Sequence, residues 1–278
     1  MTQASVCLKC ARKIEMGTME ELLKYKLIIL SFWAVLLLIS EIMRPHAIRP
    51  AGRGAIWPRY GRNIGLMGIT MILSPTLIAT ITIAAVEWGP NWRSASRFFE
   101  NIPVGWALLI DFLILDFFIY WWHRFNHIIP FLWRFHEVHH LDAFLDVTSA
   151  TRFHFGEVIL SAVMRGGVIL LLDIPLLSIV VFETIVLFSS LFQHSNIRIS
   201  DSVSRYLSYV IVTPNWHWMH HHAKREDTDS NYGNSLTIWD RLFGSKNLNS
   251  RQIDMKIGVE RRPERSFFGL ILRPLDKP

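Results

Sequence analysis

Long apolar runs, rather than the two-residue alternation of a sheet or the narrow stripe of a soluble helix, organise the chain as far as His194. Ile64 to Val86 is 23 residues without a charge. At about 1.5 Å per residue, that is enough to cross a hydrocarbon core of roughly 30 Å. Leu22 to Ile42 forms a second candidate, with Lys24 and Lys26 placed to snorkel at one end and Glu41 at the other. Val104 to Trp122 is a third, although Asp111 and Asp116 interrupt it. Two shorter runs, Val158 to Leu172 and Leu176 to Phe192, flank Asp173-Ile174-Pro175, whose acid and proline suit the tip of a helical hairpin. Arg165 and Glu183 then fall at similar depth, either neutralising one another or facing a protein interior unpaired.

The pattern predicts an all-α, multi-pass membrane helical bundle of three spans plus a helical hairpin. It carries a polar N-terminal tail (1–21), a membrane domain (22–244) and a C-terminal tail (245–278), in which Phe267 to Leu272 can dock on the bilayer or on the main body. Composition agrees, with 51% hydrophobic and 13% aromatic residues in a chain of 278. The net charge of +6 raises the question of nucleic acid, but the cations surround the spans instead of forming a soluble basic face. Arg44, Arg49, Arg53, Arg59 and Arg62 fill the first loop, whereas the next offers Arg93 and Arg97. By the positive-inside rule the first loop is cytoplasmic, against the pull of Lys9, Arg12 and Lys13 in the N-terminal tail. Cys7 and Cys10 form a C-x-x-C with no second pair to complete four ligands, and read as incidental thiols. No apolar run in the first twenty residues suggests a cleavable signal.

Eleven of the 12 histidines lie between His123 and His222, at the ends of the apolar runs. The polar stretch 128–153 and the hairpin both return the chain to the side it left, so the histidines should share one membrane face. His123 and His127 are spaced i, i+4; His136, His139 and His140 are spaced i, i+3, i+4, and His217, His220 and His221 repeat that pattern. Each set projects imidazoles from one helical face. Imidazole serves iron, zinc, copper and nickel alike, so residue type does not choose the metal, but this many donors fit two ions better than one. On the third span, Asp116, Tyr120, His123 and His127 fall within a stripe about 60° wide. Asp116 is therefore placed to accept a hydrogen bond from the far nitrogen of a ligand, or else to brace a neighbouring helix. His46 reads as an isolated surface or core histidine, and His222 as an exposed end of its run.

At these residues the sequence resembles the fatty acid hydroxylase and sterol desaturase superfamily of membrane oxygenases. Asp116 to His127 (DFFIYWWHRFNH) is similar to its first histidine box, His136 to His140 (HEVHH) to its second, and Thr213 to His221 (TPNWHWMHH) to its third. Asn231-Tyr232-Gly233 and the run from Trp239 to Gly244 follow, so the resemblance covers about Asp116 to Gly244, with the histidine boxes inside 116–222. It implies metal ligation by His123, His127, His136, His139, His140, His217, His220 and His221, with His194 as a ninth ligand. Arg152, His154 and Glu157 resemble a motif of sterol-modifying members, which makes His154 a possible additional ligand. Asp116, Tyr120, Asn196, Asn231 and Asp240 are expected to support the ligands from behind.

The resemblance further implies two metal ions, iron with zinc as the alternative, in a histidine-rich helical cap on the cytosolic face. It implies oxidation of a lipid C–H bond with O2, hydroxylation ahead of desaturation. Electrons would come from a separate cytochrome b5-like or ferredoxin-type donor, since the chain shows no haem domain or dinucleotide motif. Trp121, Trp122, Trp133, Trp216 and Trp218 either line a substrate pocket or form an interfacial belt. Nucleic acid is not an expected partner. A non-catalytic, zinc-containing lipid-binding relative is the alternative reading, with a haem electron carrier or a metal transporter behind it.

Overall fold

The computed structural model describes residues 3–49, 53–92 and 102–276, and the side chains of 21–49, 56–89 and 102–276. Cys7, Cys10, Lys9, Arg12, Lys13, Arg53, Arg93 and Arg97 lie outside the described side chains. The architecture is an all-helical membrane bundle surmounted by a helical cap. Helix α1 (Gln3–Met43) continues unbroken from the N-terminal segment into the first span. Helix α2 (Arg53–Leu73), a π-helical turn (Ser74–Ile78) and α3 (Ala79–Trp92) form one long second crossing, with Pro75 opening the turn. Then come α4 (Val104–Ile128) and the hairpin α6 (Phe155–Leu172) and α7 (Leu176–His194). Five segments are long and apolar enough to cross a membrane, matching the three spans and hairpin read from the sequence.

Their surface explains why they need lipid. In the most apolar window of the first span only 11% of residues are buried, and Ile28, Phe32, Val35, Ile39 and Ile42 all face outward. An apolar mantle of this extent would drive aggregation in water, whereas helices satisfy their own backbone in hydrocarbon. Inside, Leu115 and Ile119 of α4 meet Val168 and Ile169 of α6 and Ile179 and Phe182 of α7, while Trp33 of α1 stacks on Phe188 at 4.2 Å. The hairpin tip closes through Asp173, whose φ of +53° ends α6 in the left-handed region that Asp tolerates, before Pro175 opens α7. Of the two readings for the hairpin charges, pairing is the one present: Arg165 lies 3.9 Å from Glu183, and Lys26 of α1 lies 3.3 Å from Glu183 rather than snorkelling. Asp111, whose place the sequence left open, accepts a hydrogen bond from Ser178 of α7.

The cap is built from α5 (Pro130–His140), a 3-10 turn (Val147–Thr151), α8 (Asp201–Leu207), α9 (Pro214–His220), and the short helices α10 (Arg225–Thr228), α11 (Ile238–Leu242) and α12 (Phe267–Ile271). The first-loop arginines have a second role beyond topology. Arg59 is buried and binds Asp142 (2.6 Å) and Asp146 (2.7 Å), Arg62 binds Glu264, and Arg49 binds Glu41. Arg59 and Arg62 tie the second crossing to the cap, and Arg49 ties the first loop to the end of α1. The C-terminal segment docks on the body: Leu270 is fully buried among Leu66, Val138 and Leu141, and Arg273 pairs with Glu137.

Candidate metal centre

Three local signals aim the histidines. Helix α4 emerges from the membrane with His123 and His127 on its last turns, and Pro130 starts α5 almost at once, turning HEVHH back over them. Helix α9 is opened by Thr213, whose hydroxyl accepts from Trp216 N, with Pro214 in the first turn. His194 ends α7. All nine histidines named as ligands converge in two groups. His123, His127, His136, His140 and His220 form one, and His139, His194, His217 and His221 the other; within each group the ligand atoms lie within 4.8 Å of one another. That spread is close to the roughly 4.2 Å spanned by two opposed imidazoles on one ion. The groups abut through ring stacks: His140 on His221 at 4.3 Å, and His217 on His220 at 5.2 Å.

Hydrogen bonding sets which nitrogen faces inward. His123 Nδ1 donates to the Tyr232 carbonyl (2.8 Å), His220 Nδ1 to the Ser230 carbonyl (2.7 Å), His139 Nδ1 to the Arg152 carbonyl (3.1 Å) and His194 Nδ1 to the Ser190 carbonyl (2.8 Å). Two carboxylates do the same work: Glu157 accepts from His136 Nδ1 at 2.8 Å and Asp229 from His127 Nδ1 at 3.2 Å. A carbonyl can only accept, so the proton sits on Nδ1 and each Nε2 carries a bare lone pair. These lone pairs then face each other: His123 Nε2 lies 3.1 Å from His136 Nε2, and His139 Nε2 lies 3.1 Å from His194 Nε2. Neither contact can be a hydrogen bond between neutral rings. Nε2 of His127 and His220 is buried without any partner. Opposed, buried, unprotonated nitrogens repel unless a cation lies between them, so the donor set fits metal ions.

Protonation does not relieve the repulsion. Burial, then the neighbouring imidazoles, holds His139, His140, His217 and His221 well below the ordinary histidine value. Burial likewise pushes His220 down to about 3, against the raising effect of its bond to Ser230. These five rings are neutral at pH 7, the state a metal requires.

His154 stands apart from both groups. Its Nδ1 accepts from Gly156 N (2.9 Å), capping α6, and its Nε2 donates to the Ile271 carbonyl (2.9 Å), so no lone pair is left for a metal. Asp116 touches no histidine and takes the second of its two expected roles, bracing a neighbouring helix, α11. Seven residues separate it from His123, about 10 Å along the axis, beyond one side chain's reach. It accepts instead from Trp239 Nε1 (2.8 Å) and Ser235 N (3.2 Å). Tyr120 bonds Ser245 (2.8 Å), Asn196 holds Ala47 through both its amide atoms, and Asn231 donates to the Trp216 carbonyl. None of the three reaches a ligand directly. Asp240 acts at one remove, accepting from the backbone of Tyr232 (2.8 Å) and Gly233 (2.9 Å) and so fixing the carbonyl that orients His123. Gly233 is required there, because a Cβ would lie 2.6 Å from the Leu236 carbonyl and 2.8 Å from Asp240. His222 pairs with Asp227 (2.7 Å), and the His46 ring packs edge-on against Trp218. Of the five tryptophans, Trp133 packs on His127 and His140, while Trp216 and Trp218 are buried in the cap.

Residues 108–245 match the sequence model of the fatty acid hydroxylase family, a range that contains every histidine of both groups. The chain belongs to the fatty acid hydroxylase and sterol desaturase superfamily. Among its relatives in that superfamily, an ornithine lipid hydroxylase of Rhizobium tropici is 26% identical over 203 residues, covering 73% of this chain and 59% of its own. An alkylglycerol monooxygenase of Danio rerio is 31% identical over 143 residues, covering 50% and 30%. A cholesterol 25-hydroxylase-like protein of Danio rerio is 27% identical over 168 residues, covering 59% and 64%. The chain thus spans between about a third and two thirds of these relatives. No solved structure matches it.

Glu157 and Asp229 are the orienting carboxylates that ligand spacing alone did not mark. Glu157 lay inside the motif with Arg152 and His154; Asp229 had no pattern to betray it. Glu157→Gln removes the charged acceptor behind His136 while keeping its size. The expected result is a loss of metal affinity of about 10–100-fold, read by chelator competition, with Glu157→Asp in between. Unchanged metal retention in Glu157→Gln would remove the orienting role.

Proposed function

We propose that this protein is a membrane-bound di-iron oxygenase that hydroxylates a lipid C–H bond, with the nine clustered histidines as metal ligands, five around one ion and four around the other. The observation that carries the reading is the set of opposed, unprotonated Nε2 atoms. Ions held there would activate O2, which no side chain can do, so that R–H, O2, two electrons and two protons would give R–OH and water. The electrons come from a separate cytochrome b5-like or ferredoxin-type protein.

The chain's residues hold and shield the centre. The Nδ1 acceptors fix the tautomer and direction of six of the nine rings, and Glu157 and Asp229 raise the basicity of His136 and His127. Burial of eight of the nine rings limits water. Hydroxylation is favoured over desaturation because relatives are named as hydroxylases and monooxygenases. A lipid substrate suits a centre at the membrane ends of α4 and α7, where a chain can enter from the leaflet. The arginine-rich first loop is joined to the end of α1 through Arg49 and Glu41, whose carboxylate also accepts from Val147 N of the cap (2.9 Å), and this supports a cytoplasmic face for the centre. A haem or a transport path would call for ligands in the middle of the spans, and these lie at span ends and in the cap.

Metal analysis of purified protein, paired with lipid mass spectrometry of cells with and without the gene, tests the reading. Iron near two per chain and a lipid gaining one oxygen are expected. A lipid losing two hydrogens assigns desaturation, and stoichiometric zinc with an unchanged lipid profile makes the protein a non-catalytic relative.

A further inference from the structure

On one side of the cap lies a cleft of about 1050 Å³ that none of the metal chemistry uses. Arg44, Arg198, Arg205, Arg241, Lys246 and Arg251 line it, with Asp201 as the one carboxylate. Six arginines in or against the rest of the cap are neutralised: Arg59, Arg62, Arg152, Arg225, Arg262 and Arg273 each lie within 4.0 Å of a carboxylate. Among the described residues, none of the six in the cleft has such a partner.

Arg251 is the deciding residue. It is only 7% exposed, and its guanidinium lies 3.4 Å from the centroid of the Trp218 ring. One amino group reaches Asn196 at 3.4 Å, while Nε and Nη1 have no acceptor. A buried guanidinium with orphaned donors is costly unless an anion completes it, and arginine's fork matches the oxygens of a phosphate. An apolar patch adjoins the cleft: α8, which begins seven residues after the end of α7, and the loop after it expose Val203, Tyr206, Tyr209 and Val210, a surface suited to the bilayer.

We propose that this cleft is a binding site for a phosphate group, either on the headgroup of an anionic membrane lipid or on a small soluble compound. Arg251 forms the floor and the other cations the rim. The depth of Arg251 favours a small anion over an acidic protein, whose surface carboxylates would meet the exposed rim and not the floor.

The test uses the full chain in nanodiscs of phosphatidylcholine, with or without phosphatidic acid, reading retained lipid by native mass spectrometry and using inorganic phosphate as competitor. The wild type should retain phosphatidic acid in preference to phosphatidylcholine. Each of Arg198→Gln, Arg205→Gln and Arg251→Gln should weaken that preference by about tenfold. Arg198 and Arg205 are exposed, so their variants keep the test valid if Arg251→Gln fails to fold. Displacement by inorganic phosphate points to a soluble ligand and resistance to it points to the lipid; both uphold the site. It is overturned if neither anion is retained, or if the rim variants retain them as the wild type does. Retention is read without turnover, so the result stands apart from the fate of the oxygenase reading.

Discussion

Alanine at His139 is expected to abolish lipid oxidation and to lower bound iron from two ions per chain towards one, and alanine at His220 to do the same from the other group. His139 is one of four imidazoles around its centre, with its Nε2 3.1 Å from that of His194. His220 belongs to the group of five and leaves its Nε2 bare among them. Removing a ligand outright should cost more than the roughly 10–100-fold that follows loss of an orienting partner behind one. Because His140 stacks on His221 and His217 on His220, emptying one group also disturbs the rings of the other, so activity should fall further than metal content. Two histidines outside the groups provide the contrast. His222→Ala loses only a bond to Asp227 and should keep both iron and activity. His154→Ala should keep iron while losing about 1 kcal/mol of stability, the worth of a helix cap. Full iron and full activity in His139→Ala would falsify the two-centre proposal.

The sequence carried the spans and the histidines because both are written in short-range patterns. A span needs only a run of apolar residues, and a ligand pair needs only helical spacing. What spacing could not carry was whatever acts between distant segments. Four of the six acceptors that orient the ligands are backbone carbonyls, at Tyr232, Ser230, Arg152 and Ser190, and every residue has a carbonyl. Asp116 was drawn towards His123 by sharing its stripe, yet direction around a helix says nothing of distance along it. The first-loop arginines illustrate the same limit. Arg59 counted as one positive charge near a membrane, whereas the fold buries it against two carboxylates more than 80 residues away.

That buried cluster supports the last prediction: Arg59→Met should be among the most destabilising single changes outside the histidines. Arg59 binds both oxygens of Asp142 (2.6 and 2.9 Å), Asp146 (2.7 Å), the Phe144 carbonyl (2.7 Å) and Ser149 (2.8 Å). Methionine fills the space but leaves two buried carboxylates short of a cation, a loss of about 3–5 kcal/mol. The unfolding half-life of detergent-solubilised protein is the suitable measure, since such proteins often unfold irreversibly. The sign of the pH dependence is fixed by Asp142. Burial alone would raise its pKa, but the charges of Arg59 and then Arg152 hold it below the ordinary value. The stabilisation is therefore complete above the unfolded carboxylate pKa of about 3.9 and is lost as pH falls through the lower folded value. In Arg59→Met the deficit should be widest near neutrality and shrink in acid, and adding Asp142→Asn should recover part of it by removing one orphaned charge. A deficit independent of pH, or no recovery in the double variant, would point to packing rather than charge. Asp142 lies two residues beyond His140, so loosening this clamp should also release metal, coupling the anchor of the cap to the centre it holds.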